Sequence, residues 1–257
     1  MNIAKSEIED KVRQDINRFI ALPAWSEKQK LALTARILAR EGHLSGLAGQ
    51  ITVRADDGKT IWTLPIATGF DEATAGAMLR VDDDMKVVEG HGVPNPAVRF
   101  HLWVYRARPD VRSIVHTHPP YCNALSMTGK GLEVAHMDAA MFWDDCAYLG
   151  EWPGVPVADD EGEMIAGALG KKRAIILSNH GQLCTGATVQ EACYLGVNIE
   201  RAARMQVRAL AVGPIKPVKA EHAKGAHDFL LKPEIVDASF FYFARQALAA
   251  DGDACLS

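Results

Sequence analysis

The pair Asp57-Gly58 separates two short runs, Gln50 to Arg54 and Thr60 to Leu64, in which apolar and polar side chains alternate. Alternation with a period of two buries one face of a strand, and Asp-Gly between two such runs is a hairpin signal. Leu79 to Asp83 and Met85 to Val88 repeat the arrangement. Helical patterns are interleaved with these hairpins. The combination predicts an α/β chain built on a mixed, mostly antiparallel sheet layered with helices, and argues against a doubly wound parallel sheet.

The helices are marked by their ends. Residues 5–20 predict a first helix that stops before Pro23. Ser26-Glu27-Lys28-Gln29 is a capping box; Leu31, Ala35 and Leu38 follow at helical spacing, and Gly42 ends the run. Asn95-Pro96 opens a helix over Ala97 to Arg106, with Pro at its first position. Val111 to His116 is a strand, and Pro119-Pro120 opens the next helix. Ala174 to Leu177 is a buried strand. Thr188-Val189-Gln190-Glu191 is a second capping box, starting a long helix to about Leu210. Pro214 to Pro217 suggests a linker. The expected division is an N-terminal helical segment (1–25), a main domain (26–212) and a C-terminal extension (213–257). The extension carries Phe240-Phe241-Tyr242-Phe243, too apolar to stay in water, so it is expected to pack on the domain or on a neighbouring subunit.

Composition removes several classes. With 257 residues, 48% of them hydrophobic and 23% charged, the chain can bury a core without disulfide or zinc staples. The net charge is −4 and no Lys/Arg run stands out, so nucleic acid is not an expected partner. The first residues alternate in charge and lack the apolar stretch of a secretory signal. Leu31 to Ala39 is far short of the ~20 apolar residues of a membrane span. Five cysteines are scattered without a CxxC pair, which fits a reducing cytoplasm. No internal repeat or low-complexity segment is present.

The strongest chemical signal is His116-Thr117-His118 at the end of a β-branched strand. In an extended chain residues i and i+2 face the same way, so the two imidazoles stand side by side where strand becomes loop. The pair is either two surface histidines or the start of a metal site. His180 also sits just past an apolar strand, before Gly181, which permits close backbone approach. If the two strands neighbour each other, three imidazoles converge, and three His ligands with an open position are the pattern of a catalytic metal site. His101, inside the helix after Pro96, is either a packed histidine or a site residue. His136 lies in a segment expected to loop over the site. His43, His91, His222 and His227 are expected in solvent. Cys122 is expected to be a small buried side chain rather than a nucleophile.

An ordered set of segments gives these residues a context: Gly46 to Arg54 (GLAGQITVR), Thr63 to Asp71 (TLPIATGFD), Val87 to His101, Ala107 to Ser126 and Ala174 to Gly181 (AIILSNHG). In this order they resemble the class II aldolase/adducin family, which includes sugar-phosphate aldolases and epimerases, over about Ser26 to Leu210. The resemblance implies an α/β/α three-layer fold around a mostly antiparallel sheet, and His116, His118 and His180 as ligands of one divalent metal ion per subunit. Zn²⁺ is the first expectation, with Mn²⁺, Fe²⁺ and Co²⁺ as alternatives. It also implies a homotetramer with the active site near subunit interfaces.

The departures from the family pattern bear on the substrate. Family aldolases hold a phosphate and supply an acid/base carboxylate through a Gly-Asn-x-Ser loop, a Thr-Gly loop and a Ser-Ser-Glu segment. Here these read Gly49-Gln50-Ile51-Thr52, Thr68-Gly69 and Asn95-Pro96-Ala97. Gly49, Gln50, Thr68, Gly69 and Asn95 are therefore the expected substrate-binding positions, with Arg99, His101 and His136 as candidate catalytic groups. Arg99 either meets an anionic substrate or makes a surface ion pair. Proline offers neither hydroxyl nor N–H to a phosphate. Ala97 cannot move a proton. Aldol cleavage needs a base for the substrate hydroxyl, whereas decarboxylation starts from an ionised carboxylate and needs an electron sink. The expected function is a metal-dependent carbon–carbon lyase. The leading reaction is decarboxylation of a non-phosphorylated hydroxy-aromatic or oxo acid through a metal-stabilised enolate. An aldolase on a non-phosphorylated oxo acid and a non-catalytic adducin-like module are the alternatives.

Overall fold

A computed structural model describes residues 5–19, 23–152, 154 and 159–257. The predicted end of the first helix at residue 20 lies outside them. Eight strands form one sheet in the order β4-β3-β2-β1-β5-β8-β7-β6. They are β1 (Gln50–Arg54), β2 (Ile61–Thr63), β3 (Leu79–Val81), β4 (Val87–Glu89), β5 (Ser113–Thr117), β6 (Cys146–Leu149), β7 (Ala174–Leu177) and β8 (Gly181–Gly186). Every neighbouring pair is antiparallel except β6 and β7. The expected mixed, mostly antiparallel sheet is what forms.

Helices cover both faces. On one side α3 (Val98–Ala107) and α5 (Asp159–Leu169) bury Phe100, Leu102 and Ile165 against Ile114, Ile175 and Leu183 of the sheet. On the other lie α2 (Glu27–Arg40), α4 (Pro120–Ser126), α6 (Val189–Leu210) and α8 (Pro233–Asp251), around Leu31, Leu38, Val115, Leu195 and Ile199. This is the three-layer α/β/α arrangement. The remaining helices are α1 (Lys5–Phe19) and α7 (Ala220–Leu230). Phe240 and Phe243 of α8 are buried in the same core as α2 and α6, while Tyr242 is half exposed.

Local sequence explains the ends. The Ser26 hydroxyl accepts from the Gln29 N–H at 3.3 Å, and the Gln29 side chain accepts from the Ser26 N–H at 3.0 Å. At the other end of α2, Gly42 has φ +88°, and the His43 N–H reaches the Leu38 carbonyl while Gly42 reaches Ala39, a left-handed helix stop. The second box closes differently: Thr188 accepts from the Glu191 N–H, but the Glu191 carboxylate accepts from Ala187 rather than from Thr188 itself.

Four elements depart from the sequence reading. Strands β6 and β8 and helices α5 and α7 were not anticipated. β8 (GQLCTG) begins and ends in glycine and shows no clean alternation, and it is buried throughout by central position alone. α5 contains Gly162, where a Cβ would stand 2.4 Å from the Trp103 ring; the glycine that obscures the helix pattern is what lets α5 close on α3. Among the described residues no helix is long and apolar enough to cross a membrane.

Candidate metal centre

β5 alternates across the sheet. Val115 and Thr117 face α2 and α6, while Ile114 and His116 face α3, where the Phe100 ring meets His116 edge-on at 5.0 Å. His118 follows two residues on. The strand before His180 is β7, which does not pair with β5; β8, the strand after it, does. The three-residue turn Ser178-Asn179-His180, with Asn179 at φ +55°, folds β8 back against β5 and delivers His180 to the end of that ladder. Convergence is therefore achieved through a strand not foreseen.

His116, His118 and His180 come together with their ligand nitrogens within 4.8 Å of one another. Ring centroids are 4.6–4.9 Å apart, and the two Nε2 atoms of His116 and His118 are 2.9 Å apart. Gly181 makes this possible: a Cβ there would lie 2.5 Å from the Thr117 carbonyl oxygen and 2.8 Å from His118 Cδ2. The Nδ1–H of His116 donates to the Gln182 carbonyl at 2.8 Å, which leaves its Nε2 lone pair facing the cluster. Burial and the neighbouring histidines hold His116 well below the ordinary imidazole range. Burial also lowers His118, and burial with the His118 neighbour brings His180 to about 4. All three are neutral near pH 7, the form that ligates a metal. Three unprotonated imidazoles without a carboxylate among them form a donor set that fits a borderline divalent cation.

The substrate-side loops meet next to this cluster. Gln50 faces His116 directly across the β1–β5 ladder. Gly49 has φ +101°, and a Cβ there would press on the His116 carbonyl at 3.0 Å and the Phe70 ring at 3.3 Å. Gly49, Gln50, Thr68 and Asn95 line one small depression of about 10 Å³ with Leu47, Ile66 and Phe70. Gly69 lies beside it in the same loop, its N–H held by the Glu72 carboxylate at 2.9 Å. Among the described residues no Lys or Arg lines the depression. Gln50 is 7% exposed and its Oε1 is buried without a protein partner. Asn95 Oδ1 accepts from the Ala97 N–H at 3.0 Å and so starts α3.

A model of the class II aldolase and adducin N-terminal domain matches residues 29–207. The chain belongs to this family. Two relatives at 34% identity over 201 residues are "4-hydroxy-3-prenylphenylpyruvate oxygenase/4-hydroxy-3-prenylbenzoate synthase" of Streptomyces roseochromogenus subsp. oscitans and "Decarboxylase NovR" of Streptomyces niveus. Each match covers 77% of this chain, and 73% and 74% of the respective relative. The solved structure of L-fuculose 1-phosphate aldolase from Glaciozyma antarctica PI12 is similar at a TM-score of 0.84 and 27% identity, over 92% of this chain and 97% of that one. These likenesses place the eight-stranded sheet and its helices within the class II aldolase fold.

The three residues expected to act catalytically are not gathered at the triad of this class II aldolase-like chain. Arg99 forms an ion pair with Asp159 at 3.6 Å, tying α3 to α5 on the surface. His101 is fully buried behind His116, ring centroids 6.5 Å apart, with Nδ1 against the Thr52 hydroxyl at 2.9 Å. Thr52 also bonds Tyr105, and burial drops His101 to about 3. His136 lines a cavity of about 520 Å³ with Tyr194, Asn198 and Tyr242, a cavity that none of the three clustered histidines lines.

Other histidines also depart from expectation. His43 is fully buried, its Nδ1 at 2.8 Å from the Thr117 hydroxyl, and that hydroxyl also accepts from Gln182 Nε2. His227 is mostly buried and pairs with Asp145 at 3.2 Å. Thr117, Gln182 and His43 thus brace strand β5 from the face opposite His116. The period-two pattern of His116-Thr117-His118 carries a signal for Thr117, since it must point away from the two histidines. Nothing local marks His43 or Gln182.

Proposed function

We propose that this chain is a divalent-metal-dependent carbon–carbon lyase whose leading reaction is decarboxylation of a non-phosphorylated hydroxy-aromatic or 2-oxo acid. The observation that carries the reading is the three-histidine cluster standing beside a depression with no basic residue, close to a helix start that has Ala97 where the family aldolases have a carboxylate. His116, His118 and His180 would hold the cation, Zn²⁺ first and Mn²⁺, Fe²⁺ or Co²⁺ as alternatives. When bound, it supplies Lewis-acid stabilisation of negative charge developing on a substrate oxygen.

The chain's own groups do the rest. Gln50 Oε1 offers a buried acceptor to a substrate hydroxyl, and Thr68 a hydroxyl that donates to substrate oxygen. The buried Phe70 ring gives the depression an apolar floor, and Leu47 and Ile66 an apolar rim. Loss of CO₂ from an ionised carboxylate requires no group to remove a hydroxyl proton, so an alanine at position 97 is compatible with it. The names of the two Streptomyces relatives, a decarboxylase and a phenylpyruvate oxygenase/benzoate synthase, support the same class of substrate. The likeness to fuculose-phosphate aldolase supports the second reading, aldol cleavage of a non-phosphorylated oxo acid. A non-catalytic interaction module would have no use for the retained triad. A cytoplasmic homotetramer with the site near subunit interfaces belongs to this proposal, and light scattering giving a stable species of about 28 kDa at micromolar concentration would contradict the assembly.

The deciding experiment follows CO₂, aldehyde and O₂ together, with each of the four cations, over a panel of hydroxy-aromatic and 2-oxo acids. Wild type should release CO₂, and Ala97→Glu should release no more than wild type. Aldehyde release without CO₂, increased by Ala97→Glu, establishes the aldolase instead.

A further inference from the structure

Helix α4 begins at Pro120, two residues after His118, and is preceded by Pro119. Prolines have no N–H and no side-chain acceptor, so this segment cannot cap its own first turn. The first two N–H groups belong to Tyr121 and Cys122, and both donate to one carboxylate. Tyr121 N–H meets Glu200 Oε1 and Cys122 N–H meets Glu200 Oε2, each at 2.8 Å. Glu200 comes from α6 and is 6% exposed. Burial of a carboxylate is unfavourable unless its oxygens are satisfied. Here the two charge-assisted hydrogen bonds supply that satisfaction. A side-chain amide in this place would set an NH₂ donor against one of the two N–H groups; the carboxylate accepts from each with a separate oxygen, and so fixes the orientation of the turn as well as its position.

His118 is suspended between two fixed points. On one side is Thr117, the last residue of the β5 ladder to β8. On the other is the clamped turn at Tyr121 and Cys122, from which Asn123 Nδ2 reaches back to the His118 carbonyl at 3.5 Å. Helix α6 packs on α4, β5 and β8 together, so one helix relates the segment bearing His118 to the strands bearing His116 and leading from His180. We propose that Glu200 is a positioning residue for the metal centre, setting the His118 imidazole against those of His116 and His180. The inference rests on the metal-centre reading above.

The test measures cation affinity directly. Wild type, Glu200→Gln and Glu200→Ala are prepared without metal and titrated with Zn²⁺ against a competing chelator, and with Co²⁺ by its visible absorption. Leu195→Ala, a core truncation on the same helix, sets the scale for destabilisation without loss of the clamp. Glu200→Gln should bind Zn²⁺ at least tenfold more weakly, the order seen for partners that orient metal ligands, and its Co²⁺ spectrum should shift. Leu195→Ala should stay within twofold of wild type. A second pair isolates the donor side: Tyr121→Pro removes one clamped N–H, whereas Tyr121→Ala removes the same side chain and keeps it. The Pro variant should bind more weakly than the Ala variant. Equal affinities in that pair, or Glu200 variants that match wild type or merely follow Leu195→Ala, overturn the inference. Failure of wild type to bind either cation overturns the metal-centre reading instead.

Discussion

Gln182 binds strand β5 twice, with its backbone carbonyl on His116 Nδ1 at 2.8 Å and its side chain on the Thr117 hydroxyl at 2.6 Å. One residue therefore sets the tautomer of His116 on one face of the sheet and steadies Thr117 on the other. The first prediction concerns the ligands. Purified protein should hold about one divalent cation per chain, and His116→Ala, His118→Ala or His180→Ala should each lose it. Metal content by elemental analysis decides this, and a His118→Ala protein as metal-rich as wild type contradicts the assignment.

The second prediction concerns Gly181. A methyl group there collides with the Thr117 carbonyl group and with the His118 ring. Gly181→Ala should cost more than about 2 kcal/mol of stability, as expected of overpacking against main chain. It should also weaken cation binding. Urea unfolding of the metal-free protein and a chelator competition give the two readouts.

The third is a pH dependence. Burial, helped by Arg201, holds His43 at about 3, against 6.5 for a free histidine. Between those values the unfolded chain binds a proton that the folded chain does not. The stability attributable to neutral His43 is thus fully present above pH 6.5 and declines as pH falls toward 3. His101, also at about 3, adds in the same direction. The melting temperature of the metal-free protein should fall from pH 6.5 to pH 4, and His43→Gln should flatten that slope. An unchanged slope in the variant would falsify this account.

The fourth concerns charge at the depression. With no Lys or Arg in its lining, sugar phosphates should turn over poorly or not at all. Ile66→Lys, at a 44% exposed rim position, should introduce inhibition by inorganic phosphate that wild type lacks. Efficient cleavage of fuculose phosphate by wild type contradicts this reading of the loop.

Much of this was legible in the chain itself. The hairpins around Asp57-Gly58, the Ser26 box and the His116-Thr117-His118 alternation are local signals, and local geometry follows them. What was not legible depends on contacts between distant segments. β8 is a strand because β5 and β7 flank it. His43 is buried because α2 ends against Thr117. Arg99 is engaged because α5, unseen in the sequence, places Asp159 beside it. Glu200 is one charge on a long helix until the two prolines after His118 leave amides for it to hold.

All three clustered histidines lie downstream of Ser113, at the end of β5 and in the β7–β8 turn, whereas Gly49, Gln50, Thr68 and Asn95 lie upstream of it, at the start of β1 and on loops of the β1–β4 half. Within the sheet the two halves meet at the β1–β5 ladder, where Gln50 faces His116. A side-chain change at Thr68 or Asn95 should therefore alter the depression and leave the three imidazoles in place, so the accepted molecule and the held ion are open to separate tests.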